Sequence, residues 1–295
     1  MAGVSEDISD PLAELAREPS APPYRWLRAA GWGVARMFSI LALAVAWEVA
    51  ARSGAFTPYM LPALSAVLER IWSDLITGDL LINTGVTLYR ALTGFLIGAV
   101  AGIALGMGIC RNRLANWFFD PIISVGFPMP KITFLAVVML WLGVYDMSKI
   151  TMISVEAIFP VVTATIIGIR GVERELLWSA RNMGAGEREL LWQIALPAAL
   201  PQIITGLQVA LPTALIVEIV AEMMMGGDGL GAAMLEASRQ LNSPDVFAGI
   251  IEVMAIGWGV VTTMAWLRRR LLVWHQEDAQ PATTLKQNTE EGPSE

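Results

Sequence analysis

The chain has 295 residues, of which 55% are hydrophobic and only 16% charged, and its mean hydropathy of +0.55 excludes an ordinary soluble domain. The formal charge of −7 says nothing about a ligand: residues 1–20 and 276–295 each hold five acids and one base, which leaves the rest of the chain near +1. One cysteine, Cys110, and one histidine, His275, exclude a disulfide framework and a Cys/His metal cluster.

Residues 1–24 are acidic, carry Pro22-Pro23 and lack an immediate apolar core, which argues against a cleaved signal peptide. They and residues 276–295 are expected to be disordered, solvated ends flanking an all-α membrane domain over 25–275. A hydrocarbon core about 30 Å thick needs roughly 20 apolar residues per helix. Six runs approach that length, near 33–52, 84–110, 116–144, 148–169, 198–224 and 246–267. The first is read as an uncleaved anchor. The third is irregular, because Pro121, Pro128 and Pro130 break it, and it is open to a second reading as a short interfacial helix plus one crossing. Arginines set the orientation. Arg25, Arg28 and Arg36 precede the first run, Arg111 and Arg113 follow the second, Arg170, Arg174, Arg181 and Arg188 follow the fourth, and Arg268–Arg270 close the sixth. The alternate loops are poorer in basic residues, so both termini are expected in the cytoplasm.

Glycines 94, 98, 102 and 106 form an i, i+4 ladder along the second run, a face along which another helix backbone can approach closely. Between the fourth and fifth runs, GVERELLWSARNMG predicts a short amphipathic helix with Glu173, Arg174, Glu175 and Arg181 outward and Leu176, Leu177 and Ala180 inward. Gly184 then turns the chain, GERELLWQIALP starts a second short helix, and Pro197 marks the start of the fifth span. Such a cytoplasmic helix-turn-helix either receives a soluble partner or tidies the membrane surface. Further on, Met223–Met225 and GGDGLG end the fifth run, in a position open to filler, gate or docking edge, and LEASRQLNSPD predicts a short external helix.

Ionisable groups within the bilayer are costly unless they face protein or water. Glu48, Lys131, Glu156, Glu218, Glu222 and Glu252 fall in that class. They either pair with one another, sit at span ends, or contact a solute. Lys131 has no obvious sequence neighbour to match it, and the broken backbone at Pro128 and Pro130 suits a cavity wall. A translocation path favouring an anion is therefore expected around Lys131, Pro130, Glu156, Glu218, Glu222, Met223 and Met224.

The spacing of Ala180, Gly184, Ile194, Leu196 and Pro197 resembles the EAA loop of ABC importer membrane subunits, E-A-A-x3-G-x9-I-x-L-P. Trp178 and Ser179 stand where that pattern has glutamate and its first alanine, and Glu175, one turn earlier, is the acid available in its place. Over about residues 45–275 the chain is similar to permeases of the nitrate, sulfonate, taurine and bicarbonate type, although FPMPKITF replaces their more apolar RPIPPLA. The resemblance implies a type I importer permease in the bacterial inner membrane, working as a homodimer. It also implies two cytoplasmic ATPase subunits carrying ATP and Mg, and a periplasmic or lipid-anchored solute-binding protein. Glu175, Trp178, Ser179, Ala180, Arg181, Gly184, Ile194, Leu196 and Pro197 would couple the chain to the ATPase. No catalytic residue, metal or bound cofactor is expected on the chain itself, since none of its lysines follows a glycine as a phosphate loop requires. Membrane lipid is an expected partner and nucleic acid is not. The rival class is a secondary transporter, which would be expected to show an internal repeat; none is visible between the two halves.

Overall fold

The computed structural model describes residues 25–272, with side chains from residue 38, and these residues are helical and free of strands. The two acidic tails and His275 lie outside the described residues. The described chain divides between Ser65 and Ala66 into two compact units.

In the first unit, helix α1 (Arg25–Arg52) carries the run read as the first span. Its end is fixed locally. The Trp47 indole donates to the Pro62 carbonyl at 3.0 Å, while Glu48 pairs with Arg52 at 2.6 Å and accepts from the Ser65 hydroxyl at 2.9 Å. Glu48, expected among the intramembrane acids, therefore has partners of its own at the helix end.

The second unit begins within α2 (Leu64–Thr77), an amphipathic helix the sequence reading did not separate. It continues with α3 (Asp79–Arg111), α4 (Arg113–Gly126), a 3-10 turn (Lys131–Phe134), α5 (Leu135–Leu142), α6 (Asp146–Arg170), α7 (Arg174–Asn182), α8 (Glu187–Met225), α9 (Leu230–Arg239) and α10 (Ser243–Leu271). Among the described residues α3, α6, α8 and α10 are long and apolar enough to cross a membrane, and the pair 113–126 and 131–142, bent by 97°, makes at most a fifth crossing.

The glycine ladder decides how that pair is used. Gly94 lies against Ile153, Gly98 against Ala157, Gly102 against Val161 and Gly106 against Thr165, so α3 and α6 run parallel in constant register. Two parallel neighbours need a return between them. Asn116 on α4 accepts from Arg170 at 2.6 Å at one end of α6, and the Gly143 carbonyl after α5 accepts from Ser148 at the other. The bent pair thus carries the chain from one end of the bundle to the other, broken where Pro128 and Pro130 withhold backbone donors. Helix α8 packs antiparallel on α6, with Gly168 beside Ala199 and Gly206 beside Ala164. Phe95, Leu135, Met152, Ile153, Ala157, Val161, Leu211 and Ala214 fill the space between α3, α5, α6 and α8.

Two expected boundaries are corrected. The second loop helix and the fifth span are one helix of 39 residues. Its ladder widens to π geometry over Leu190–Ala195, just before Pro197, so the proline's missing donor is absorbed in place of a break. The short external helix starts at Leu230, earlier than LEASRQLNSPD suggested, because Gly226, Gly227 and Gly229 take positive φ and confine the turn.

A Cβ on Gly98 would lie 2.6 Å from the Ser154 carbonyl oxygen and 2.7 Å from the Ala157 Cβ, whereas one on Gly108 meets nothing within 4 Å. Gly98→Val is expected to cost about 1–3 kcal/mol through overpacking and to lower the thermal midpoint of the purified chain. Gly108→Ala is expected to leave that midpoint unchanged in the same fluorescence-detected unfolding scan.

Candidate functional site

The chain places chemistry-bearing residues in three places: the arm after α6, the break before α5, and the far end of the bundle.

The arm is built by a turn only glycine forms without strain. Helix α7 ends in a Schellman arrangement in which Ala185 N–H donates to the Ala180 carbonyl at 3.1 Å and Gly184 N–H donates to the Arg181 carbonyl at 2.9 Å. Gly184 sits at φ +90°, as the position after such a cap requires. The next helix is capped in return by Glu189, whose carboxylate accepts from Gly186 N–H at 2.9 Å. Ala180, Leu190 and Ala195 are buried, and Leu177, Leu191, Ile194 and Leu196 are half-buried. Glu175, Ser179 and Pro197 are exposed, and Arg181 makes an exposed pair with Glu187 at 3.0 Å, a contact of small energetic worth. Leu176, expected inward, is exposed, because the short helix turns only Leu177 and Ala180 onto the start of α8. With Trp178 at 57%, Met183 at 80% and Trp192 at 57% exposure, it leaves a set of large apolar side chains uncovered on the arm.

At the break, Lys131 is buried and enclosed. Its Nζ lies 3.3 Å from each of the Phe127 and Met129 carbonyl oxygens, 3.5 Å from Glu156 Oε1 and 4.7 Å from the centre of the Phe159 ring. The carbonyls freed by the broken helix thus become its acceptors. Pro130 is exposed, and Glu156 keeps about a fifth of its side chain open.

At the far end, Glu218 and Glu222 are fully buried and are joined by two cations the sequence reading missed, Arg90 and Lys149. Arg90 lies 3.2 Å from Glu222 and 3.8 Å from Glu218, holds Asp146 at 2.7 Å, and donates to the Asp228 carbonyl at 2.8 Å. Thr87 donates to both Glu222 oxygens, at 2.9 and 3.1 Å. Lys149 donates to the Gly226 carbonyl at 3.1 Å. Met223 is half-buried and Met224 exposed beside this cluster. Arg90 stands well inside the apolar helix Asp79–Arg111, so the rule that flagged the buried acids applied equally to it. Lys149, near the start of α6, reads in sequence as a loop residue. The expected path residues therefore fall into two groups, Lys131 with Glu156, and Glu218 with Glu222. Glu252 is apart from both, lining a cavity of about 270 Å³ with Arg70, Asp74 and Asp245.

A family model described as the binding-protein-dependent transport system inner membrane component matches residues 94–273. The putative aliphatic sulfonates transport permease protein SsuC of Bacillus subtilis is 30% identical over 260 residues, covering 88% of this chain and 92% of that protein. The taurine transport system permease protein TauC of Escherichia coli is 28% identical over 244 residues, covering 81% and 89%. Among solved structures, an inward-facing form of the MetNI methionine ABC transporter aligns with TM-score 0.53 at 18% identity, over 69% of this chain and 95% of that one. An amino acid ABC transporter solved with histidines aligns with TM-score 0.56 at 15% identity, over 68% and 95%. At those identities the two structures speak for the fold alone.

Breaking a buried ion pair leaves a charge uncompensated at about 3–5 kcal/mol. Arg90→Met is therefore expected to reduce the yield of folded chain sharply. Arg90→Met combined with Glu222→Met is expected to recover much of that loss, as read by size-exclusion profile and thermal midpoint.

Proposed function

Since the chain belongs to the family of binding-protein-dependent transport system inner membrane components, we propose that it is the membrane-spanning subunit of an ATP-driven importer for a small anion, an organic sulfonate or taurine first, with nitrate and bicarbonate as the other members of the class. It is a multi-pass protein of the bacterial inner membrane. In this reading two copies of the chain surround the path, two cytoplasmic ATPase subunits supply ATP and Mg, and a periplasmic or lipid-anchored protein delivers the solute. Residues 25–275 form the transport domain, with six crossings and both ends cytoplasmic. The orientation is supported by charge. Arg111, Arg113, Arg170, Arg174, Arg181 and Arg188 gather at the end of α3 and α6 that carries the arm.

The observation that carries the reading is the arm itself. A left-handed glycine at the motif position fixes a short helix that leaves Leu176 and Trp178, on different sides of it, and Met183 at its end uncovered, and such exposed apolar side chains suit a groove on a soluble partner. Because α8 continues from the arm into the bundle without a break, a displacement of the arm reaches the transport helices as movement of one rigid element. Glu175, Trp178, Ser179 and Arg181 are the residues that would meet the ATPase, while Ala180, Gly184, Ile194, Leu196 and Pro197 hold the arm's shape. ATP hydrolysis belongs to the partner in this reading.

For the solute, Lys131 with Glu156 and Pro130 at the break would line the path. The Lys131 contacts are with two neutral carbonyls and one partly open carboxylate, an arrangement from which an anion can draw the ammonium when the helices part. Glu218, Glu222, Met223 and Met224 would stand at its far end.

In vesicles holding the chain with its ATPase and binding protein, Gly184→Val is expected to abolish ATP-driven uptake while leaving insertion intact, since a non-glycine there is strained by at least about 1 kcal/mol and reshapes the arm. Full uptake by that variant would contradict the coupling role. Lys131→Met is expected to weaken uptake of a sulfonate and to alter discrimination against neutral amino acids. Unchanged uptake and unchanged selectivity would remove Lys131 from the path.

A further inference from the structure

The turn between α8 and α9 has almost no side chains with which to hold itself. Gly226, Gly227 and Gly229 take φ of 69°, 92° and 118°, and the Asp228 side chain is exposed. What fixes the turn comes from other helices. From α3, Asn83 accepts from Gly229 N–H at 3.2 Å, Thr87 accepts from Leu230 N–H at 3.1 Å, and Arg90 donates to the Asp228 carbonyl at 2.8 Å. From α6, Lys149 donates to the Gly226 carbonyl at 3.1 Å. Glu222, at the end of α8, accepts from Gly231 N–H at 2.9 Å, from Thr87 and from Arg90. A side chain on Gly229 would run into the Glu222 carboxylate, so the turn and the acid are seated against each other.

A network of this kind is a weak source of net stability, since buried ions repay little beyond their desolvation, and apolar replacements of similar volume often do as well or better. Its distinguishing property is reversibility. Every donor and acceptor in it has water as an alternative partner once the helices separate, whereas an apolar plug would have none. It also sits at the N-terminal ends of α3 and α6, the end away from the arm that follows Arg170. The 25 residues of α6 place about 37 Å between the two.

Resting on the importer reading for its role, we propose that Asn83, Thr87, Arg90, Lys149 and Glu222 form a polar latch that holds the glycine turn closed over the end of the bundle opposite the coupling arm, and that release of this latch opens the path to incoming solute. The latch is a two-state element: closed, it ties α8 and α9 to α3 and α6; released, the glycines let the turn swing with α9. These are positioning residues that act through the turn.

The mildest probes are Thr87→Val and Asn83→Ala, which remove hydrogen bonds without leaving a new unpaired charge within the cluster. In full-length chain carrying Cys110→Ser, with spin labels at Asp79→Cys and Glu236→Cys and reconstituted in nanodiscs, the distance between the labels reads the latch without reference to any ATPase. The unaltered latch is expected to give one short distance. Either probe is expected to raise the share of a longer one by roughly threefold to tenfold relative to the closed form. In the complex with its ATPase, hydrolysis without binding protein is expected to rise by a similar factor and the stimulation by loaded binding protein to fall, the reverse of the general loss that structural damage produces. A longer distance with unaltered hydrolysis would support the latch and count against the ATPase-driven cycle. A single short distance in both variants would overturn the latch.

Discussion

The close, parallel packing of α3 against α6 is the constraint on which the rest of the second unit depends. Glycines at every fourth position remove the side chains that would hold the two backbones apart, and Ile153, Ala157, Val161 and Thr165 occupy the space they leave. Lipid offers no hydrophobic drive for two apolar helices to associate, so this steric fit supplies the contact. Because the helices are parallel, the intervening chain must return across the bundle, which is why a proline-broken pair of short helices is found there. Because the register is constant, Arg90 and Asp146 are neighbours at one end, and Arg111 and Arg170 come to the other.

That geometry separates two kinds of chemistry by the length of a membrane-spanning helix. The arm end is shaped by backbone: a left-handed glycine, a carboxylate cap on the next helix and a set of uncovered apolar side chains. The far end is shaped by buried charge arranged around a turn with little conformational preference of its own. Lys131 lies between them, where the broken helix supplies carbonyl oxygens that an intact helix would have used internally. A charge at each of these depths is tolerable only because protein polar groups replace water. The polar groups are therefore the places where a change of helix packing and a change of solvation have to occur together, which is the requirement for moving a charged solute across a bilayer.

Local features were legible in the sequence, and pairings across the fold were not. The ladder at residues 94–106 reads directly as a packing face, and Gly184 reads as the turn of the arm, because each is a local backbone requirement written in one residue type. The boundaries of α3, α6 and α10 follow from their apolar lengths. The continuity of α8 was hidden, since Pro197 reads as a helix start and the π segment that absorbs it has no sequence signature. The partners of Glu222 were hidden for a different reason. Thr87 and Arg90 are more than 130 residues away, and nothing in a single sequence links positions so far apart. Lys131 looked unpaired for the same reason, as Glu156 and the Phe159 ring reach it only after the chain has turned back. The whole-family resemblance was legible because the arm's motif is short and contiguous.

The proposed role turns on engagement of a separate ATPase by the arm. It is tested most directly by native mass spectrometry of the tagged chain extracted gently from the membranes of its own host. A particle of two copies of the chain with two copies of a nucleotide-binding subunit is expected, with loss of that subunit when Trp178 and Met183 are both replaced by aspartate. A chain recovered repeatedly without any nucleotide-binding partner, yet competent for transport in vesicles lacking ATP, would contradict it.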